Sequence, residues 1–346
     1  MLSITYFIKG LQQYIAEYIL NWKFRYNKEK VCSWEAIMKL FIRYPLEKKY
    51  IEKILNSRED LEITDSLELA EVILTGSLSK EEFLKAKNLK WIQSTSAGID
   101  NILYPEVINS DVIITTASGV HPKPIAEHVF GLILCWTRRI NIAFKGKLEK
   151  RWEKDNINLC DELTGKVMGI LGYGKIGQEI GRIAKCFGMK VIGVKKDIQD
   201  SDLNVIPDEL YPYSKVSEVL RISDILVLAL PLAPETRDFI GEEELKIMKK
   251  DAILVNIGRG KTIDEKALIK ALKESWIQAA LLDVFYEEPL PFDSPLWNLE
   301  NVIITPHIAG MTPYYDERMV DIFVSNLRVY PDISKMINVV DKKLGY

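Results

Sequence analysis

From about residue 36 onward, short apolar runs alternate with segments of helical period. AIMKLFIR (36–43), EVILTG (71–76), KWIQST (90–95) and VIIT (112–115) predict strands, and PLEKKYIEKIL (45–55) predicts a helix opening near Pro45. A second series follows, with VMGILG (167–172), KVIGVK (190–195), DILVLAL (224–230), AILVNIG (252–258), AALLDVF (279–285) and NVIITPH (301–307). Such near-continuous apolar runs suit parallel strands covered on both faces. Their alternation with helical patterns, such as KIGQEIGRIAKCF (175–187), predicts βαβ units. Between the two series, Pro122 and Pro124 precede IAEHVFGLILCWTRRINIAF (125–144), which reads as one long, mostly apolar helix. A helix so apolar must be buried, between domains or between subunits. TPYYDERMVDIFVSNLRVY (312–330) predicts a final amphipathic helix.

The opening stretch, MLSITYFIKGLQQYIAEYILNWKF, reads as an extra amphipathic helical segment over about residues 1–30. Lys9, Gln12, Gln13 and Glu17 interrupt it too often for a membrane span, and it has no signal-peptide pattern. A soluble, cytoplasmic protein is expected. The 346 residues, 47% of them apolar, suffice for two domains. A net charge of −3, from 46 basic and 49 acidic side chains, gives no case for nucleic acid or an anionic membrane. Cys32, Cys135, Cys160 and Cys186 form no CxxC or Cys/His cluster, so neither a disulfide framework nor a metal site is expected.

Candidate chemistry begins at Gly172, Gly174 and Gly177, a GxGxxG between an apolar strand and a helix. The first glycine permits the tight turn, the second lets backbone approach a pyrophosphate, and the third lets helix and strand pack closely. The helix N-terminus offers unpaired N–H groups to the phosphates. The predicted cofactor set is Gly172, Tyr173, Gly174, Lys175, Ile176 and Gly177, with Lys195, Lys196 and Ile257 on later strands. An NAD site commonly has an acid near position 195, where it accepts from the ribose hydroxyls. Lys195 and Lys196 would instead attract a 2′-phosphate, which favours NADP(H) over NAD(H). The alternative is a solvated strand end, with Asp197 turned back to the ribose.

His307 closes NVIITPH, Arg259 follows AILVNIG, and Glu288 follows AALLDVF, so three strand ends deliver an imidazole, a guanidinium and a carboxylate towards one edge. Hydride chemistry on a 2-oxo acid needs such a set. A planar two-pronged cation holds the substrate carboxylate. An imidazole protonates the carbonyl oxygen, and a carboxylate orients the ring. Taken singly, each residue reads as readily as a surface charge, a packed histidine or a turn cap.

Ordered motifs extend this reading. STSAGIDN (94–101), IAEHVFGLIL (125–134), GYGKIG (172–177), LPLAPETRDFIG (230–241), VNIGRGKTIDEKAL (255–268), LLDVFYEEPL (281–290) and NVIITPHIAGMT (301–312) resemble the D-isomer-specific 2-hydroxyacid dehydrogenase family, from about residue 36 to 340. The resemblance implies that Arg259 binds the 2-oxo acid, that His307 is the general acid/base and that Glu288 pairs with it. It implies that Asp283 contacts the nicotinamide end, that Ser96, Ala97 and Gly98 hold the substrate carboxylate, and that Leu230 and Pro231 line the cofactor. It further implies an α/β fold of two Rossmann-like, doubly wound parallel-sheet domains, with the cofactor domain inserted into a flavodoxin-like substrate domain. The expected boundaries are 117–308 for the cofactor domain and 1–116 with 309–346 for the substrate domain. A homodimer is implied, with helix 125–144 crossing between domains. VIGVKK resembles the ending in glyoxylate/hydroxypyruvate reductases of the family, whose NADPH-using members carry basic residues there; the segment before residue 36 has no family counterpart. The expected activity is NADPH-linked reduction of a small 2-oxo acid such as glyoxylate or hydroxypyruvate. The alternatives are an NAD-linked D-lactate or phosphoglycerate type dehydrogenase, or a nucleotide-sensing protein like the family's corepressor relatives.

Overall fold

The computed structural model describes residues 37–99, 101–152, 154, 160–196 and 203–342. The N-terminal segment over residues 1–30 and Asp197 lie outside the described residues. The chain divides into two compact units, one formed by His121–Thr312 and the other by the segments on either side of it.

The first unit contains β1 (Met38–Ile42), α1 (Lys48–Leu55), β2 (Leu61–Ile63), β3 (Val72–Thr75), α2 (Lys80–Lys85), β4 (Trp91–Ser94), α3 (Pro105–Ile108) and β5 (Ile113–Thr115). The second contains α4 (Pro122–Thr137), α5 (Ile140–Leu148), β6 (Val167–Leu171), α6 (Lys175–Cys186), β7 (Lys190–Val194), β8 (Glu209–Tyr211), α7 (Val216–Ile222), β9 (Ile225–Leu228), α8 (Glu242–Ile247), β10 (Ile253–Asn256), α9 (Glu265–Lys273), β11 (Ala279–Leu282) and β12 (Val302–Ile304). The chain then returns to the first unit with α10 (Tyr315–Val329).

Both sheets are parallel, as the apolar runs predict. The first is ordered β2-β1-β3-β4-β5, the flavodoxin-like order. The second is ordered β12-β11-β10-β9-β6-β7-β8, which contains the six-strand dinucleotide-binding order plus one edge strand. Its strand order reverses between β6 and β9, and ligands of open α/β sheets bind outside the strand C-termini at such a point.

Side-chain alternation explains why the second sheet is covered on both faces. Met168, Ile170, Val191, Ile225, Val227, Ile253, Val255, Ala279 and Leu281 join one core with α4 and α6. Leu171, Ile192, Val194, Leu226, Leu228, Leu254, Ala280 and Leu282 join the other with α7, α8 and α9. In the first unit, Leu40, Val72, Leu74 and Trp91 pack with Ile54 of α1 and with Met319, Phe323 and Leu327 of α10.

The expected single helix over 125–144 is instead two. α4 ends at Thr137, Arg139 is left-handed at φ 55°, and α5 starts at Ile140. Thr137 Oγ1 donates to the Ile133 carbonyl at 2.9 Å, and the Arg139 guanidinium lies 4.8 Å from the Trp136 ring, so both contacts tie the corner to α4. The buried side chains of α4 are absorbed by the core of its own unit. Helix α1 begins at Lys48, three residues after Pro45. Among the described residues no helix is long and apolar enough to cross a membrane, and no group of three or more His, Cys, Asp or Glu side chains is placed to hold a metal ion.

Candidate active site and cofactor cradle

The glycine turn joins β6 to α6. Gly172 takes φ +95°, and a Cβ there would lie 2.6 Å from the Ala229 carbonyl oxygen, so neither its conformation nor its surroundings admit a side chain. At Gly177 a Cβ would meet the Gly172 oxygen at 2.4 Å, which is how closely α6 packs on the turn. A Cβ on Gly174, by contrast, would face open space. Gly174 is also the N-cap of the 12-residue α6. Exposed backbone at a helix N-terminus, on the switch-point strand, fits a dinucleotide pyrophosphate.

The other residues of the predicted cofactor set are placed unequally. Lys175 is exposed, and Ile176 is half-buried against the core. The side chains of Tyr173, Leu230 and Ile257 are buried. Only their backbone remains for a ligand, and Pro231 is exposed beside them. Tyr173 is wedged where a Cβ on Gly181 or Gly193 would strike its ring, and its hydroxyl has no hydrogen-bond partner. Lys195 and Lys196 follow β7, and Lys196 Nζ is 2.6 Å from Glu235 Oε1 in the loop after β9. That ion pair joins the ends of the two strands flanking β6.

The remaining candidates sit on neighbouring strand ends that glycines draw together. Arg259 follows β10 between Gly258 and Gly260. A Cβ on Gly258 would lie 2.6 Å from the Leu230 oxygen after β9, and one on Gly260 would lie 1.8 Å from the Phe285 oxygen after β11. Both close approaches need glycine, so Arg259 is fixed between its two neighbours. Its Nη1 donates to the Gly258 carbonyl at 2.8 Å. Glu288 accepts the Phe285 N–H on Oε1 at 3.0 Å, and its Oε2 lies 2.6 Å from His307 Nδ1. The imidazole is 51% exposed, so it is accessible to a ligand. His307 itself is left-handed at φ +54°.

Asp283, expected at the nicotinamide end, follows β11. Its side chain is 1% exposed and fully engaged within the protein. Oδ1 accepts from Thr305 Oγ1 at 2.6 Å and the Ile308 N–H at 3.0 Å, and Oδ2 accepts the Ala309 N–H at 2.9 Å. His128 of α4 lies 3.0 Å from Thr305 Oγ1. His128, Thr305 and Glu235 lie outside the set of site residues expected from the sequence. His128 was discernible as one of three histidines in the chain, set within an otherwise apolar helix.

Ser96, Ala97 and Gly98 follow β4 in the first unit. Ser96 Oγ donates to the Gly98 carbonyl at 2.6 Å, and Ala97 and Gly98 are exposed. In the same unit, Ile99 is buried and Tyr104 donates to the Ser79 carbonyl at 3.0 Å.

Residues 130–309 match the model of the D-isomer specific 2-hydroxyacid dehydrogenase, NAD binding domain. A glyoxylate reductase from Pyrococcus furiosus is 38% identical over 282 residues, spanning 80% of this chain and 81% of that enzyme. A D-3-phosphoglycerate dehydrogenase from Methanocaldococcus jannaschii is 34% identical over 331 residues, spanning 89% of this chain and 62% of that enzyme. The crystal structure of a D-isomer specific 2-hydroxyacid dehydrogenase from Xanthobacter autotrophicus Py2 in complex with NADPH and MES superposes with a TM-score of 0.75 at 25% identity, over 90% of this chain and 100% of that one.

Proposed function

Because this chain belongs to the D-isomer specific 2-hydroxyacid dehydrogenase family, and is thereby an NAD(P)-dependent oxidoreductase acting on CH–OH groups, we propose that it reduces a small 2-oxo acid to the D-2-hydroxy acid with NADPH. The observation that carries this reading is the 2.6 Å contact of His307 Nδ1 with Glu288, beside an Arg259 fixed by two glycines. A bound nicotinamide supplies the hydride. His307 delivers the proton to the carbonyl oxygen from Nε2, because Glu288 engages Nδ1. Loss of that proton leaves the neutral Nδ1–H tautomer, which still donates to Glu288. Arg259 pairs with the substrate carboxylate, replacing its present bond to the Gly258 carbonyl. Ser96, Ala97 and Gly98, in the first unit, are proposed to offer backbone ligands to a carboxylate. Glyoxylate is the first substrate to test, since the Pyrococcus furiosus relative is a glyoxylate reductase.

NADPH is preferred in this reading because Lys195 and Lys196 stand where the 2′-phosphate would arrive. The neighbouring Glu235 favours an NADH-linked alternative, since a carboxylate paired to Lys196 repels a 2′-phosphate. A panel of 2-oxo acids assayed with both reduced cofactors tests the reading. NADPH oxidation with glyoxylate or hydroxypyruvate, at a higher kcat/KM than with NADH, is expected. Replacing both lysines by alanine should weaken NADPH at least about tenfold more than NADH, a charge-assisted contact being worth about 1.5–3 kcal/mol. Equal losses would assign the protein to the NADH-linked group. A homodimer completes the proposal. Ile140, Phe144 and Leu148 recur every fourth residue along α5 and are all exposed, which forms an apolar ridge suited to a second copy of the chain.

A further inference from the structure

We propose that His128 is a positioning residue, which holds the turn carrying His307 through Thr305 and Asp283. This rests on the reading of His307 as the proton donor. Three elements of one unit meet here: α4 brings His128, the end of β11 brings Asp283, and the segment after β12 brings Thr305 and His307.

The Thr305 hydroxyl has one proton, and at 2.6 Å from Asp283 Oδ1 it is given to that carboxylate, which can only accept. The 3.0 Å contact between Thr305 Oγ1 and His128 Nε2 therefore has His128 as its donor. His128 must carry a proton on Nε2, and it completes a chain from imidazole to hydroxyl to carboxylate. Its ring is 18% exposed, and burial lowers its pKa despite the pull of Asp283, so the neutral Nε2–H tautomer is the form that serves this chain.

The Asp283 carboxylate anchors the turn. Besides Thr305, it accepts the N–H groups of Ile308 and Ala309, the two residues after His307, while the Asp283 carbonyl accepts the N–H of His307 itself at 2.9 Å. His307 is left-handed, a conformation that a non-glycine residue keeps only where its surroundings impose it. Thr305 bonds the same oxygen as Ile308, so it sets the rotation of the carboxylate, and His128 sets the rotation of the Thr305 hydroxyl. Loss of either end frees Asp283 to turn, and His307 then loses its alignment with Glu288 and substrate. A displacement of about 1 Å in a catalytic group can cost roughly 10²-fold in rate.

The test compares His128→Leu, His128→Gln, Thr305→Val, Thr305→Ser, the double variant His128→Leu/Thr305→Val and the control His307→Asn. For each, kcat and KM are measured with glyoxylate and NADPH, together with the NADPH dissociation constant and the thermal midpoint. His128→Leu and Thr305→Val should each lower kcat about 10–100-fold, with NADPH affinity within about threefold of wild type. His128→Gln places an N–H donor near Nε2, and Thr305→Ser keeps the hydroxyl, so both should restore kcat to within about fivefold. The double variant should lose no more than the worse single one, as expected for links of one chain. A destabilised His128→Leu leaves the Thr305→Val and Thr305→Ser pair to decide. Wild-type kcat in His128→Leu or Thr305→Val, alongside an inactive His307→Asn, would overturn the role of His128 and leave the proton donor standing. An active His307→Asn would instead overturn the proton donor itself.

Discussion

Tyr173 shows at the scale of one residue how a motif position and a side chain separate. It stands second in the glycine turn, yet its ring fills the space left by Gly181 and Gly193, and its buried hydroxyl has no partner. An unmet buried donor costs about 1–3 kcal/mol. Tyr173→Phe should therefore raise stability by about 1 kcal/mol, seen as a higher denaturant midpoint with unchanged NADPH affinity; a fall in stability would expose a partner for the hydroxyl. The motif legible in the sequence is a pattern of backbone approach, which is why Gly172 and Gly177 fall where the turn requires them, while Gly174 leaves its backbone open at the helix N-terminus. Side chains in between follow the core, as Tyr173, Leu230 and Ile257 do. His128 supplies a second residue-scale prediction. Burial holds its folded pKa below the usual 6.5, so on acidification the unfolded chain takes up this proton first and unfolding is favoured. The stability gap between His128→Gln and wild type should shift in favour of the variant as pH falls from about 7.5 to 5.5, measured by thermal midpoints. A gap independent of pH would contradict the depressed pKa.

Elements were legible where their pattern was long and periodic. The apolar strands fell within the runs that announced them, because parallel strands buried on both faces require such runs. The corner between α4 and α5 was not legible. No glycine or proline marks it, and the left-handed residue is Arg139, a type with no local preference for that conformation, whose guanidinium lies over the Trp136 ring. The corner matters, since it places Ile140, Phe144 and Leu148 on an exposed face of α5 while α4 is buried in its own unit. If that face joins two copies, Phe144→Glu should convert a dimer to a monomer in sedimentation velocity, with the far-UV spectrum unchanged. A wild-type monomer, or a dimer that survives the substitution, would contradict the assignment.

At the scale of the whole molecule, the seven-stranded sheet explains why residues from distant parts of the sequence form one candidate site. Parallel strands all end on the same edge, so Gly172, Leu230, Arg259, Asp283 and His307 emerge side by side after β6, β9, β10, β11 and β12. The placement of Arg259, Glu288 and His307 after neighbouring strands was legible because each follows an apolar run. The hydrogen-bonded chain of His128, Thr305 and Asp283 was not, because contacts between a helix and two strand ends leave no spacing in the sequence. In the proposed reduction of a 2-oxo acid, His307, held by Glu288, provides the proton. The most direct measurement is kcat of His307→Asn with saturating NADPH and glyoxylate, with NADPH binding measured on the same sample. We predict a fall of about 10²–10⁴-fold in kcat with NADPH affinity preserved, the range expected for loss of a general acid. A variant that turns over within about twofold of wild type would contradict it.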